Sequence, residues 1–518
     1  MRIYAGRINA GVTASSPDAA AAGIAILRRG GNAVDAAVAT ALAACVADPC
    51  NVGLGGYGGE LIVHDGATRC WSVSFGMIAP KSVDPGAANP ETDNPVADNQ
   101  DRKTVTYPDD GPHASGVPLV VAGLSRALEQ FGTLGWDRVS DRATALARDG
   151  VSIVGVTERA LADLSDQSFL DGVYDRSTPG LLRQPALFRT LSDMAAYGPD
   201  WFYEGPIGAA ASGAFAAAGI SLSPSEWAEA LDHVDIAHAP YYDLDEWRIF
   251  SAPLRTSGAP CLHATLRALQ LVAAEQDFES TAGLAGLAQK MSALWQYRFS
   301  SPERNLLNQD TLADWVENAV AHDSGVTRLP TATGHTAHIN VVDFTGMTVA
   351  LTLSQGPQWF GGRWVVPDTG VVMNCGMHLF RWERPVVRRG LHVAMTNLAP
   401  VVAVGPGGAM VAAGAPGARR IPSNVAMALG RHILNGMPLD QAVAAGRVHA
   451  EDALIGAYES GRLDDGLAKA LLRVFPQVDG DDDAFCTGPL TALSRDRKGV
   501  ITLGLDDRAT PGFGEVLA

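Results

Sequence analysis

The sequence predicts an α/β protein built as a four-layer α/β/β/α sandwich. Three observations carry that expectation: helical periodicity fills the first half, alternating strand patterns crowd the region after residue 335, and no internal repeat is visible. Ala19 to Arg29 and Asn32 to Ala47 read as two helices, with Gly30-Gly31 as the stop between them. Leu61 to His64 and Cys70 to Ser74 read as strands joined by an Asp65-Gly66 turn. Residues 88–116, rich in Asp, Asn, Pro and Gly, form a polar loop. Helical patterns return from Ala122 to Ala230 and from Cys261 to Ala293. Asp323 to Gly334, with Pro330, is a polar stretch of the kind that tolerates nicking. Strands follow at His338 to Val342, Val349 to Leu353, Gly370 to Met373, Pro400 to Val404 and Met410 to Gly414.

The chain has 518 residues, more than the usual span of one domain, but large layered folds exceed that span as single units and one structural domain is expected. The net charge of -17 and the lack of a basic stripe interleaved with aromatics exclude a nucleic-acid partner. The six cysteines show no Cys-x-x-Cys spacing, so buried free thiols are expected rather than a zinc ribbon or a redox pair. No run of eighteen apolar residues appears; the alanine-rich helix Ala33 to Ala47 carries Asp35 and is too short to span a bilayer, so no membrane insertion is expected. Met1-Arg-Ile-Tyr-Ala-Gly-Arg-Ile-Asn9 lacks the apolar core of a signal peptide.

The stretch His335-Thr-Ala-His-Ile-Asn-Val-Val-Asp343 places a hydroxyl directly ahead of a strand, and Thr352 and Ser354 follow one hairpin later. A self-cleaving precursor needs this arrangement. If the peptide bond before Thr336 breaks, Thr336 becomes an N-terminal residue whose hydroxyl is the nucleophile and whose α-amine is the base. Such an amine titrates near about pH 8, so a useful fraction is neutral at physiological pH and no histidine is required.

Further motifs run along the chain: Gly11-Val-Thr-Ala-Ser-Ser-Pro17 with Ala25 to Leu42, the glycine-rich turn Pro49 to Gly59, then Gly116-Val-Pro118, Gly198 to Gly205, Ser251-Ala-Pro253, Phe360-Gly361, Val365 to Gly370 and Gly414-Ala-Pro-Gly417. In type and order they resemble those of the gamma-glutamyltranspeptidase family of N-terminal-nucleophile hydrolases, the first pair its opening helix and Pro49 to Gly59 its Pro-x-x-x-Gly-x-Gly-Gly turn. The resemblance implies the N-terminal-nucleophile hydrolase type of sandwich, with cleavage between His335 and Thr336. It implies a 1–335 large segment and a 336–518 small segment that together form one domain and a heterodimer. It assigns Thr336 as nucleophile, Ser354 as a hydroxyl bonding that nucleophile, and Gly417 and Ala418 as the oxyanion hole. Ala418 in place of glycine implies a φ below zero there. No cofactor or metal is expected. Many relatives are exported, and this chain departs toward a cytoplasmic location.

The match breaks at substrate recognition. The family clamps the α-carboxylate of a γ-glutamyl group with the arginine of Arg-Glu-x-Ala-Pro, where this chain has Phe75-Gly-Met-Ile-Ala-Pro80. The family's Asn-Asn-x-Met-Asp-Asp-Phe, whose second aspartate holds the α-amine, is Asn374-Cys-Gly-Met-His-Leu-Phe380, and Leu379 cannot hold an ammonium. Paired serines become Thr396-Asn397, which keep hydrogen-bonding capacity. Arg363 and Trp364 are new and are candidates for a carboxylate clamp and an apolar cover, with Arg255 as a second cation.

Two motifs are decoys. Gly53-Leu-Gly-Gly-Tyr-Gly58 spells a dinucleotide fingerprint but follows a helix and precedes a strand, the reverse of the order that chemistry needs. Asp479-Gly-Asp-Asp-Asp483 lacks the spaced partners of a calcium loop, and His335 with His338 does not close a metal site. The reading is an autoprocessing hydrolase or acyltransferase acting on an amide in a small carboxylate-bearing metabolite. A hydrolytic C–C bond-cleaving enzyme of the kind found in alkylproline biosynthesis, and a non-catalytic binding relative, are the alternatives.

Overall fold

The computed structural model describes residues 9–83, 107–153, 155–301, 307–322, 334–380, 386–388, 391–480, 489–508 and 511–517. A seven-stranded sheet runs in the order Phe513–Leu517, Ala10–Ala14, His335–Val342, Thr348–Gly356, Gly58–His64, Cys70–Gly76, Asp235–His238. A six-stranded sheet runs Ile501–Leu505, Thr491–Arg495, Met410–Gly414, Val401–Val404, Trp247–Ser251, Tyr241–Leu244. The two sheets pack face to face, with Ile62, Ala350, Val402 and Ala412 in the apolar layer between them.

Helices close both outer faces. Pro17–Arg28, Ala33–Ala47 and Val120–Phe131 share one core with the first sheet. Gly258–Glu275, Thr281–Ser300 and Arg420–Ile433 share another with the second. The architecture is therefore the expected α/β/β/α sandwich. Strand alternation sorts the layers: Ala337, Ile339 and Val341 face the helix Ala33–Ala47, which leaves Thr336, His338 and Asn340 facing the other sheet.

The helix Ala33–Ala47 is buried almost all round, as its alanines allow, and its single acid is used at the start. Asp35 closes a capping box with Asn32 and also accepts from the Thr133 and Leu134 amides and the Thr133 hydroxyl. The helical pattern from Cys261 to Ala293 is carried by two helices, Gly258–Glu275 and Thr281–Ser300, the second capped by the Ser280 side chain accepting from the Gly283 amide. The Asp65-Gly66 turn joins its two strands as expected, with Gly66 at φ 80°. Most of the 88–116 loop, most of the lead-in Asp323 to Gly334, and Cys486 lie outside the described residues. Among the described residues no helix is long and apolar enough to cross a membrane.

Candidate active site

Thr336 lies at the start of the strand His335–Val342, which occupies the middle of the first sheet, and it is 2% exposed. Its cross-strand partner on Thr348–Gly356 is Ser354. The Ser354 hydroxyl donates to the His335 carbonyl at 2.5 Å and accepts from the Gly356 amide at 3.1 Å. The second lone pair of Ser354 faces the Tyr57 phenol, whose ionisation is pushed up by burial. Ser354 was expected to bond the nucleophile. In the structure it holds instead the carbonyl of the peptide bond before Thr336, while the Thr336 hydroxyl has no hydrogen-bond partner among the described residues. A β-bulge between Ser354 and Gly356 sets this geometry by shifting the register so that Gly356 pairs with His335.

Behind Thr336 runs a buried polar chain. Asn340 Nδ2 donates to Thr13 and Thr491, so its Oδ1 is the acceptor facing His338 Nε2 at 2.8 Å. That fixes the proton of His338 on Nε2 and leaves Nδ1 to accept from the Thr352 hydroxyl at 2.8 Å. Burial lowers His338 to about 4, consistent with a neutral ring. Gly414 of the second sheet is required here, since a Cβ on it would sit 2.3 Å from the His338 ring.

The loop after Gly414 comes up to the same bond. Gly417 has φ 119° and Ala418 φ 51°. The expectation of a negative φ at Ala418 is corrected: the backbone keeps the left-handed turn that a glycine takes freely, and the alanine adopts it at a cost of about 1–2 kcal/mol. Ala418 packs against Gly334, where an added Cβ would lie 3.1–3.3 Å from Ala418 atoms. Neither the Gly417 nor the Ala418 amide donates to another group among the described residues.

The loop from Gly356 to Trp364 forms the opposite wall. Phe360 and Arg363 both take left-handed backbone, at φ 59° and 52°. The His335 ring stacks on Trp359 with centroids 3.6 Å apart. Arg363 donates to the Trp359 carbonyl and to Gln358, both at 3.4 Å. Burial lowers His335 to about 3, with the charges of Arg159 and Arg363 acting the same way. Trp364, expected to cover substrate, packs edge-on against Phe215, and its Nε1 donates to Ser115 at 2.6 Å.

The remaining candidates sit farther along the wall. Tyr57 donates its amide to the Ser354 carbonyl, Met77 to that of Tyr57, and Ala394 to that of Met77. Thr396 and Asn397 follow, and no hydrogen bond joins them to Thr336 or Ser354 among the described residues. The Thr396 hydroxyl accepts from the Leu398 amide. Arg255 is paired with Asp235 at 2.8 Å. Leu379 is half-buried against the second core. Asn374 is fully used as a clasp between Gly55, Gly116 and Gly376.

The glycines of the dinucleotide-like motif serve close packing. A Cβ at Gly55, Gly56 or Gly58 would strike the carbonyls of Val372, Ser354 or Phe75. Among the described residues no three His, Cys, Asp or Glu side chains converge on a metal site, and the five described cysteines are buried and free. Asp479 ends a short strand, and residues 481–483 lie outside the described residues. Sequence reasoning singled out neither Tyr57 nor Trp359. A bulky tyrosine inside a glycine-rich turn was the one visible signal for the first.

The family model for gamma-glutamyltranspeptidase matches residues 19–515. The acylase ACY 1 proenzyme of Pseudomonas sp. (strain SE83) is 27% identical, covering 89% of this chain and 86% of that one. The glutathione hydrolase proenzyme of Bacillus subtilis (strain 168) is 26% identical, covering 88% and 83%. Cephalosporin acylase from Bacillus halodurans has the same fold, with a TM-score of 0.78 at 21% identity over 100% of this chain and 97% of that one. The order of motifs, the sandwich and these matches together establish the chain as an enzyme of the gamma-glutamyltranspeptidase family, an N-terminal-nucleophile hydrolase.

Proposed function

We propose that the chain is a precursor that cuts itself before Thr336 and then acts as an amide hydrolase or acyltransferase on a small carboxylate-bearing metabolite. The Ser354 hydroxyl on the His335 carbonyl carries the reading, because it polarises the bond that Thr336 must attack. The Thr336 oxygen adds to the His335 carbonyl carbon, the C–N bond breaks as the ester forms, and water hydrolyses the ester. His335 is left with a carboxylate and Thr336 with a free amine. The names of both relatives describe proenzymes, which supports processing. Segments 1–335 and 336–518 stay together as a heterodimer, because each sheet is built from strands of both.

In the mature enzyme the Thr336 amine takes the hydroxyl proton as the oxygen attacks the substrate amide. The amides of Gly417 and Ala418 receive the developing oxyanion. The amine leaves with the proton, and water or a second amine takes the acyl group from Thr336. The substrate is not a γ-glutamyl compound, since Gly76, Met77 and Leu379 stand where its two charged clamps would be. N-terminal sequencing of the purified protein should give a fragment beginning Thr-Ala-His-Ile-Asn, absent in Thr336→Ala. Intact chain alone in an active preparation overturns the mechanism.

A further inference from the structure

The geometry points to a binding site that self-cleavage opens: the slot filled by the His335 side chain is the acyl-group pocket of the mature enzyme, and it takes a planar ring carrying a carboxylate. This rests on the reading of Thr336 as the nucleophile. During self-cleavage the intermediate is an ester between the Thr336 oxygen and the His335 carbonyl. Chemically that is an acyl-enzyme whose acyl group is His335, so the place of its side chain marks where an acyl group attached to Thr336 fits.

That place has a distinct chemistry. Trp359 is its floor, with the His335 imidazole lying on the indole at 3.6 Å and an interplanar angle of 28°. Such a surface favours a flat unsaturated ring over a flexible aliphatic chain. Arg363 stands at the edge. It is half-buried, forms no ion pair among the described residues, and is held only by its two long hydrogen bonds to the Trp359 carbonyl and Gln358. A partly desolvated guanidinium without a carboxylate partner is a fitting donor to an anionic substituent. His335 Nδ1 is buried without a hydrogen bond, so the slot is shaped for a ring yet does not pair the polar edge of this one. The imidazole leaves the charge of Arg363 unanswered. An acyl ring bearing a carboxylate would answer it.

The probe is terephthalate, a planar ring dicarboxylate standing for the released acid, compared with glutarate as the flexible dicarboxylate. Calorimetric titration of the self-cleaved protein should show terephthalate binding at least tenfold tighter than glutarate. The uncut Thr336→Ala chain, in which His335 still fills the slot, should bind terephthalate at least tenfold more weakly than the cut protein. Arg363→Asn, chosen because asparagine tolerates the left-handed backbone there, should weaken terephthalate at least tenfold in the cut protein and leave benzamide, a neutral ring, within twofold. Trp359→Leu should weaken both, and Trp359→Phe should restore them. Equal affinity for terephthalate and glutarate, equal binding by cut and uncut chains, or no binding at all overturns the pocket assignment. A wild-type chain that fails to cut overturns the nucleophile reading beneath it, and a denaturing gel separates that outcome from the others.

Discussion

Ser354 and His335 lie on neighbouring central strands, and the Ser354 hydroxyl donates to the carbonyl of the residue preceding Thr336. One hydroxyl thus holds the carbonyl before Thr336, with Gly356 and Tyr57 orienting it from behind. Loss of a donor of this kind costs about a hundredfold to a thousandfold in comparable carbonyl chemistry. Ser354→Ala should therefore slow self-cleavage at least tenfold in a gel-monitored time course, and Ser354→Thr should recover most of the rate. Wild-type processing in the alanine variant would remove Ser354 from the mechanism.

γ-Glutamyl anilides should be poor substrates. A charge-assisted hydrogen bond contributes about 1.5–3 kcal/mol, and two such clamps are replaced by apolar or glycine positions, so kcat/KM should fall at least a hundredfold against a glutathione-handling relative assayed alongside. Comparable turnover by the two enzymes would contradict this.

Ala418→Gly should not destabilise the chain. Relief of the left-handed alanine returns about 1–2 kcal/mol, and the added freedom of the unfolded chain takes back about 0.4–1 kcal/mol. Denaturant unfolding in the uncut Thr336→Ala background should show a net gain of zero to about 1.6 kcal/mol. A loss greater than about 1 kcal/mol would argue that the backbone there is not left-handed.

Stability should fall on mild acidification. Burial lowers His263 and His335 to about 3 and His338 to about 4, so between pH 6.5 and about 4 the unfolded chain binds three protons that the folded chain refuses. Burial raises Asp48 from 3.8 to about 6, so the folded chain holds one proton there that the unfolded chain does not, offsetting one of the three. Burial lowers His64 and His449 in the same direction, so the net is at least about two protons and stability falls by at least about 3 kcal/mol per pH unit near pH 5. The melting temperature should drop between pH 7 and pH 5. A flat profile would mean that the imidazoles take up protons in the folded state.

Thr336 was named from a hydroxyl at a strand start together with the family resemblance, and Ser354 and the Gly417 turn from that resemblance alone; the structure brings all three to the 335/336 junction. The sandwich was legible from alternation and periodicity. Tyr57 and Trp359 were not, because their contacts depend on placement across the chain. Tyr57 reaches Ser354 only when the glycine turn is drawn against the end of a strand nearly three hundred residues later. Trp359 faces His335 only because Phe360 and Arg363 reverse the backbone behind it, and nothing in either residue type announces a left-handed turn. Ala418 misled for the same reason: its side chain suggested one conformation and the surrounding loop imposes another.

The strand His335–Val342 lies between Ala10–Ala14 and Thr348–Gly356, one neighbour from each side of the 335/336 junction. Breaking that junction would alter the reaction order of folding. The intact chain can assemble its central sheet by an internal, concentration-independent search, whereas two pieces must first meet in solution. After complete denaturation, recovery of the cut protein should accelerate with protein concentration, and recovery of Thr336→Ala should not. The fold would then be a memory of the uncut molecule, reached once and afterwards held by the barrier to unfolding.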